Sequence, residues 1–228
     1  MTIISFSGID GAGKSTQIHE LDAWLRQSGL RTQLLTFWDD VAAFSRWREL
    51  LSSKIFRGDC GIGSPEKPLN RRDKNVSSPW LVAVRVFIYL ADAASASLKI
   101  RMIRKTNVDI VIFDRYLYDE LANLPLHGGL AQTFVRVVLK HAPKPDVAFV
   151  IDADPVVATA RKPEYPLEFV RSNRRAYLDL AELAGNMIVV GPGSIETLRT
   201  RIRDATIREL SVAVAGAPEL SISPLVGE

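Results

Sequence analysis

The sequence predicts an α/β fold in three layers: a parallel sheet of about five strands with helices on both faces. Three observations carry this. Five short apolar runs, at residues 2–7, 31–37, 108–113, 146–151 and 187–190, alternate with longer stretches of helical spacing. Two of the runs, Val-Asp-Ile-Val-Ile-Phe at 108–113 and Asp-Val-Ala-Phe-Val-Ile at 146–151, are nearly unbroken, as in strands covered on both faces. The first run leads directly into a glycine-rich turn and then a helix.

The elements follow in order. Thr2–Ser7 is the first strand. Residues 14–28 place Ile18, Leu21 and Leu25 on one helical side with Trp24 beside them, and Gly29 stands where a helix ends. A second strand at 31–37 is followed by a predicted helix over 40–57, carrying Val41, Phe44, Trp47, Leu50, Leu51 and Ile55. Residues 58–78 are rich in Gly, Pro, Asn and Ser and hold Lys67, Arg71, Arg72 and Lys74. A segment of this length is either a solvated basic loop or one that covers a substrate. Pro79 opens a long helix to about Lys105, and short helices are expected at 116–124 and 129–141. Helices at 155–161, 167–184 and 194–210 complete a single predicted domain, 1–210, and 211–228 reads as a loose tail.

Composition narrows the class. Of 228 residues, 47% are hydrophobic and 24% charged, which excludes a disordered, collagen-like or disulfide-scaffold chain. The net charge of +3 is too slight to argue for nucleic acid, but it leaves room for a local basic pocket facing an anion. Cys60 is the only cysteine, so no internal disulfide forms, and a reducing, cytoplasmic setting is expected. The N-terminus has no basic stretch of the kind that precedes a secretory leader. The most apolar run, Leu81 to Leu98, is interrupted by Arg85 and Asp92, which favours a buried helix over a membrane span. Neither nucleic acid nor membrane is an expected partner.

The chemistry concentrates in a few motifs. Gly8-Ile9-Asp10-Gly11-Ala12-Gly13-Lys14-Ser15-Thr16 fits the phosphate-binding P-loop pattern G-x-x-x-x-G-K-[ST], after a strand and before a helix. Backbone N–H groups from Gly8 through Thr16, including Asp10, Gly11, Ala12 and Gly13, wrap phosphate oxygens, and the helix dipole adds to them. Lys14 reaches the β- and γ-phosphates of ATP, and the Ser15 hydroxyl is a Mg²⁺ ligand. Asp114, at the tip of an apolar strand, lies at the sheet edge where ligands bind and orients Mg²⁺ or its water. Arg115 is a candidate to hold an acceptor phosphate bidentately. Arg161, Lys162, Arg171, Arg174 and Arg175 form a basic cluster suited to neutralising a transferring phosphoryl group.

These residues resemble a family. Phe6 through Gln17 looks like the start of a thymidylate kinase, and Asp114-Arg115-Tyr116 looks like that family's Asp-Arg-Tyr motif. Glu168-Phe169, Arg174 and Tyr177-Leu178-Asp179-Leu180-Ala181 resemble the helix after its lid, and the likeness covers about residues 2–205. It implies a kinase moving the γ-phosphoryl group of MgATP to a nucleoside monophosphate. By the likeness, Asp10 sits near the acceptor's sugar and Arg115 holds the acceptor phosphate. With alanine at position 12, the lid (about 159–167) supplies the catalytic arginine, Arg161, with Lys162 and Arg174 behind it. The likeness also implies a homodimer through the helix at 79–105.

The acceptor side departs from the pattern. Where the family has Arg-Glu-Pro-Gly, this chain has Phe37-Trp38-Asp39-Asp40. Where it has Phe-x-x-Asp-Arg, this chain has Tyr89-Leu90-Ala91-Asp92-Ala93, and Asp119 and Ala122-Asn123-Leu124 stand in other family positions. Tyr89 is the expected stacking ring, with Arg85 one turn away and Asn123 as a further base-reading candidate. The small-molecule acceptor stays open between a nucleoside monophosphate, dTMP foremost, and a nucleoside, sugar or phosphosugar. A nucleotide-binding module without efficient transfer is the reading of another class.

Overall fold

A computed structural model of the chain describes residues 1–42, 79–124 and 129–215. The elements are β1 (Thr2–Ser7), α1 (Lys14–Gln27), β2 (Thr32–Thr36), a π-helical turn (Phe37–Val41), α2 (Pro79–Ile103) and β3 (Ile110–Asp114). There follow α3 (Leu117–Leu121), α4 (Gly129–His141), β4 (Val147–Ile151), α5 (Pro155–Arg161), α6 (Leu167–Ala184), β5 (Met187–Val190) and α7 (Ile195–Ala215).

The five strands form one parallel sheet in the order β2-β3-β1-β4-β5. In β3 and β4 every apolar side chain is buried, although neighbours along a strand point to opposite faces. Both faces of the sheet centre are therefore covered, which is why these runs lack polar alternation. The helices bury their stripes against the sheet. Ile18, Leu21 and Leu25 of α1 are buried, and Trp24 lies under the Arg203 guanidinium of α7 at 5.3 Å. On α2, Val86, Tyr89, Ala93, Ala96, Ile100 and Ile103 repeat at helical spacing and are buried. Asp154 caps α5 by accepting the N–H groups of Val156 (2.8 Å) and Val157 (3.2 Å), with Pro155 at the first helical position.

The register positions the site. Phe6 pairs with Asp114 on one side and Phe149 on the other, so β1 ends between the ends of β3 and β4. Whatever follows β1 is flanked by whatever follows those two strands, at the edge where α/β sheets bind ligands.

Three expectations change. The helix predicted from residue 40 is replaced over Phe37–Val41 by one π-helical turn, because Asp40 turns back to accept the Thr36 N–H (2.8 Å) and Phe37 is fully buried. Residues 43–78, which hold the rest of that helix, Cys60 and the basic loop, lie outside the described residues. The last helix continues to Ala215, since Ser211–Ala215 contains no breaker and the stop signal comes at Gly216. The short helix expected over 116–124 narrows to Leu117–Leu121. No described helix is long and apolar enough to cross a membrane.

Candidate active site

The loop after β1 is shaped by backbone packing. A Cβ on Gly11 (φ +81°) would stand 2.2 Å from the carbonyl oxygen of Ala158 in α5. A Cβ on Gly8 would stand 2.5 Å from that of Ile151. Only hydrogen fits at either place, so the loop lies directly on the end of β4 and on α5. Gly13 (φ +90°) faces open space and is the left-handed residue that turns the chain into α1. Ala12 is buried, Asp10 is half-buried, and Ser15 and Thr16 are exposed in the first turn of α1.

Lys14 is buried, and its Nζ donates to the carbonyl oxygens of Gly8 and Ile9, both at 2.8 Å. This is a change from the extended reach toward phosphates that the motif predicts: here the ammonium braces its own loop. Burial, and then the charge of Arg115, lower its pKa to about 8 against the opposing charges of Asp10, Asp119 and Asp114. Asp114, at the tip of β3, therefore acts on Lys14 through charge. A hydroxyl at Ser15 and a carboxylate at Asp114 are hard oxygen donors of the type Mg²⁺ takes. Among the described residues no group of three or more His, Cys, Asp or Glu forms a metal cage. In donor chemistry, Ser15 and Asp114 fit the implied ion.

Arg115 stands beside this loop in a left-handed backbone conformation (φ +66°), unusual for a side chain of its size. Its guanidinium pairs with Asp10 of the phosphate loop and lies 3.4 Å from Asp119. Burial alone would lower its pKa; Asp119 and Asp10 more than offset this and hold it charged. Its fork thus meets carboxylates of both the phosphate loop and α3.

The basic cluster divides. Arg174 binds Asp152, at the end of β4, through two contacts of 2.6 and 2.7 Å. Lys162 pairs with Glu164 (3.2 Å), Arg171 with Glu168 (2.8 Å) and Arg175 with Asp179 (3.0 Å). Among the described residues Arg161, exposed in the last turn of α5, enters no ion pair. The link between α5 and α6 is only Lys162–Pro166, anchored by buried Tyr165 against Phe169 at 5.0 Å.

The base-reading candidates sit together between α2 and the end of α3. Arg85 is buried and donates to the Asn123 carbonyl at 3.3 Å, while the Asn123 amide donates to the Asp119 carbonyl at 2.8 Å. Tyr89 is 4% exposed, so the ring expected to stack on a base is covered in this conformation. Phe37, standing in the place of the family's Arg-Glu-Pro-Gly, packs against Tyr116 (5.8 Å) and Trp38 (5.7 Å).

Sequence reasoning passed over Asp152 and assigned no role to Tyr177 or to Asp119 as a hub. Two left signals. Asp152 follows an apolar strand, as Asp114 closes one, and Tyr177 falls three residues after Arg174 on the same helical face.

No protein-family model matches the chain. Individual proteins do match over nearly its whole length. A probable thymidylate kinase of Methanosphaera stadtmanae is 23% identical over 214 residues, covering 92% of this chain and 99% of its own. A probable thymidylate kinase of Pyrococcus abyssi is 29% identical over 198 residues, 82% and 86% respectively. A thymidylate kinase of Bifidobacterium longum is 27% identical over 221 residues, 91% and 98%.

Proposed function

We propose, from these likenesses to thymidylate kinases, that the chain is a nucleoside monophosphate kinase-type phosphotransferase that transfers the γ-phosphoryl group of MgATP to a nucleoside monophosphate, dTMP foremost. One observation carries the reading. Arg115, the candidate acceptor cation, meets Asp10 of the phosphate loop by direct contact, so donor and acceptor machinery converge at one point of the sheet edge.

The roles follow from the geometry. Backbone N–H groups of residues 8–16 bind the ATP phosphates, and Lys14 leaves the Gly8 and Ile9 carbonyls to take up their charge. Ser15 and Asp114 would hold Mg²⁺, which when bound supplies neutralisation of the phosphate charge. Arg115 turns part of its fork from carboxylate to acceptor phosphate. An acceptor phosphate oxygen attacks the γ-phosphorus, the bond to the β-phosphate oxygen breaks, and ADP leaves. Arg161, the lid cation that enters no ion pair among the described residues, stabilises the transferring group. Catalysis is positioning and charge stabilisation, with no covalent enzyme intermediate.

A second reading has its own observation. Two carboxylates already neutralise Arg115, which favours an acceptor offering hydroxyls in place of a phosphate. ADP release with MgATP across nucleoside monophosphates, nucleosides and sugar phosphates separates the two. Lys14→Ala is the control and should cut turnover roughly 100- to 1000-fold. Release driven by dTMP supports the first reading; release only with unphosphorylated acceptors replaces it with the second.

We also propose a homodimer through α2. Phe87, Leu98 and Met102 form an outward apolar stripe, 72%, 61% and 58% exposed. Sedimentation should give a dimer for the wild type and a monomer for Phe87→Glu/Leu98→Glu; a monomeric wild type would reject it.

A further inference from the structure

Asp119 is 2% exposed, yet its carboxylate meets four donors. Oδ2 accepts the Ser7 hydroxyl of β1 (2.7 Å) and the Tyr116 N–H (2.9 Å). Oδ1 accepts the Tyr177 hydroxyl of α6 (2.7 Å) and faces the Arg115 guanidinium at 3.4 Å. A carboxylate offers about four lone-pair sites, and these contacts fill them. The buried charge is thus compensated, and the group is held from three directions.

The Tyr116 contact lies next to the left-handed Arg115. Pinning the N–H of residue 116 fixes the peptide that follows Arg115, and with it a left-handed backbone conformation that persists only where its surroundings over-determine it. Asp119 therefore acts on Arg115 twice: through charge at the guanidinium and through the turn that aims it. Tyr177 sits on the same face of α6 as Arg174, whose fork grips Asp152. The helix that follows the lid is tied to the sheet edge on both sides of the phosphate loop. Burial, and then the charge of Asp119, raise the Tyr177 pKa well above its ordinary value, so its hydroxyl remains a donor.

We propose that Asp119 and Tyr177 are positioning residues for Arg115, a relay through which α6 sets the arginine that receives the acceptor phosphate. The inference rests on the monophosphate reading above. Neither residue touches the reacting atoms. Their loss should weaken the part of acceptor binding that depends on the phosphate and leave donor binding intact.

The test is calorimetric titration of the full chain with dTMP, thymidine and MgATP, on wild type, Tyr177→Phe and Asp119→Asn, with melting temperatures alongside. Tyr177→Phe deletes one hydroxyl and leaves no cavity, so it keeps the test valid if Asp119→Asn fails to fold. The expected result is a 3- to 10-fold loss of dTMP affinity in Tyr177→Phe and a larger one in Asp119→Asn. Thymidine and MgATP affinities should stay within twofold of wild type. Unchanged dTMP affinity in Tyr177→Phe overturns the relay, as does a loss shared equally by all three ligands and tracking melting temperature. If wild type binds dTMP no tighter than thymidine, the monophosphate reading falls, and the relay falls with it as a device for an acceptor phosphate.

Discussion

Around the phosphate loop the close contacts are made by backbone: Gly8 against the Ile151 carbonyl, Gly11 against that of Ala158, and Lys14 on the carbonyls of Gly8 and Ile9. Around Arg115 and Asp119 they are made by side chains drawn from three places in the chain: Ser7 and Asp10 at the end of β1, residues 115–119, and Tyr177. The first half depends on what is missing from a residue, a Cβ that would collide. The second depends on charges and hydroxyls that must coincide. Substitutions should therefore act on the two halves in different ways.

The largest effect should come from Lys14→Ala, with turnover falling roughly 100- to 1000-fold for every acceptor, as when a preorganised electrostatic donor is removed. Arg115→Ala should raise KM chiefly for acceptors that carry a phosphate. Identical losses across phosphorylated and unphosphorylated acceptors in Arg115→Ala would break the division into halves.

Within the backbone-made half, Gly11→Ala should cost about 3 kcal/mol, from left-handed strain plus collision with a carbonyl, read as a lowered urea midpoint. Gly13→Ala meets open space and should cost only about 1 kcal/mol. Equal midpoints for the two would mean that the contact with Ala158 does not hold the loop.

Within the side-chain-made half, Arg174→Ala strands the buried Asp152 carboxylate without its forked partner and should destabilise by about 2 kcal/mol. Asp152→Ala should cost less, because the arginine it leaves behind is 36% exposed and can be solvated. The reverse order would place the weight on the contacts of Asp152 with the end of β4.

The smallest effect joins the halves. Lys14 has a pKa lowered to about 8 before nucleotide arrives, and phosphate binding favours its charged form. Affinity for a non-hydrolysable ATP analogue should therefore be highest below pH 8 and fall as pH rises through 8, by up to tenfold per unit. Lys14→Met should flatten that profile. A flat wild-type profile between pH 7.5 and 9.5 would mean that the ammonium is not desolvated at the loop.

Sequence alone was enough to place the sheet and the glycine-rich turn between β1 and α1. Apolar runs without alternation announce strands covered on both faces, and observed strand ends agree with the expected ones to within two residues. The pattern of Gly8–Thr16 is legible in its local order, while the contacts of Gly8 and Gly11 with Ile151 and Ala158 come from the fold. Tertiary structure alone decided which cations stay available. Arg161 and Arg174 look alike in sequence, but only Arg174 finds Asp152, 22 residues earlier in the chain. Asp119 and Tyr177 lie 58 residues apart and become one unit only when α6 packs against α3. Tyr89, an aromatic at the expected spacing, is covered by packing that no local pattern encodes. Short-range geometry can be read from neighbouring residues, whereas the pairing of a charge depends on what the fold brings within a few ångströms of it.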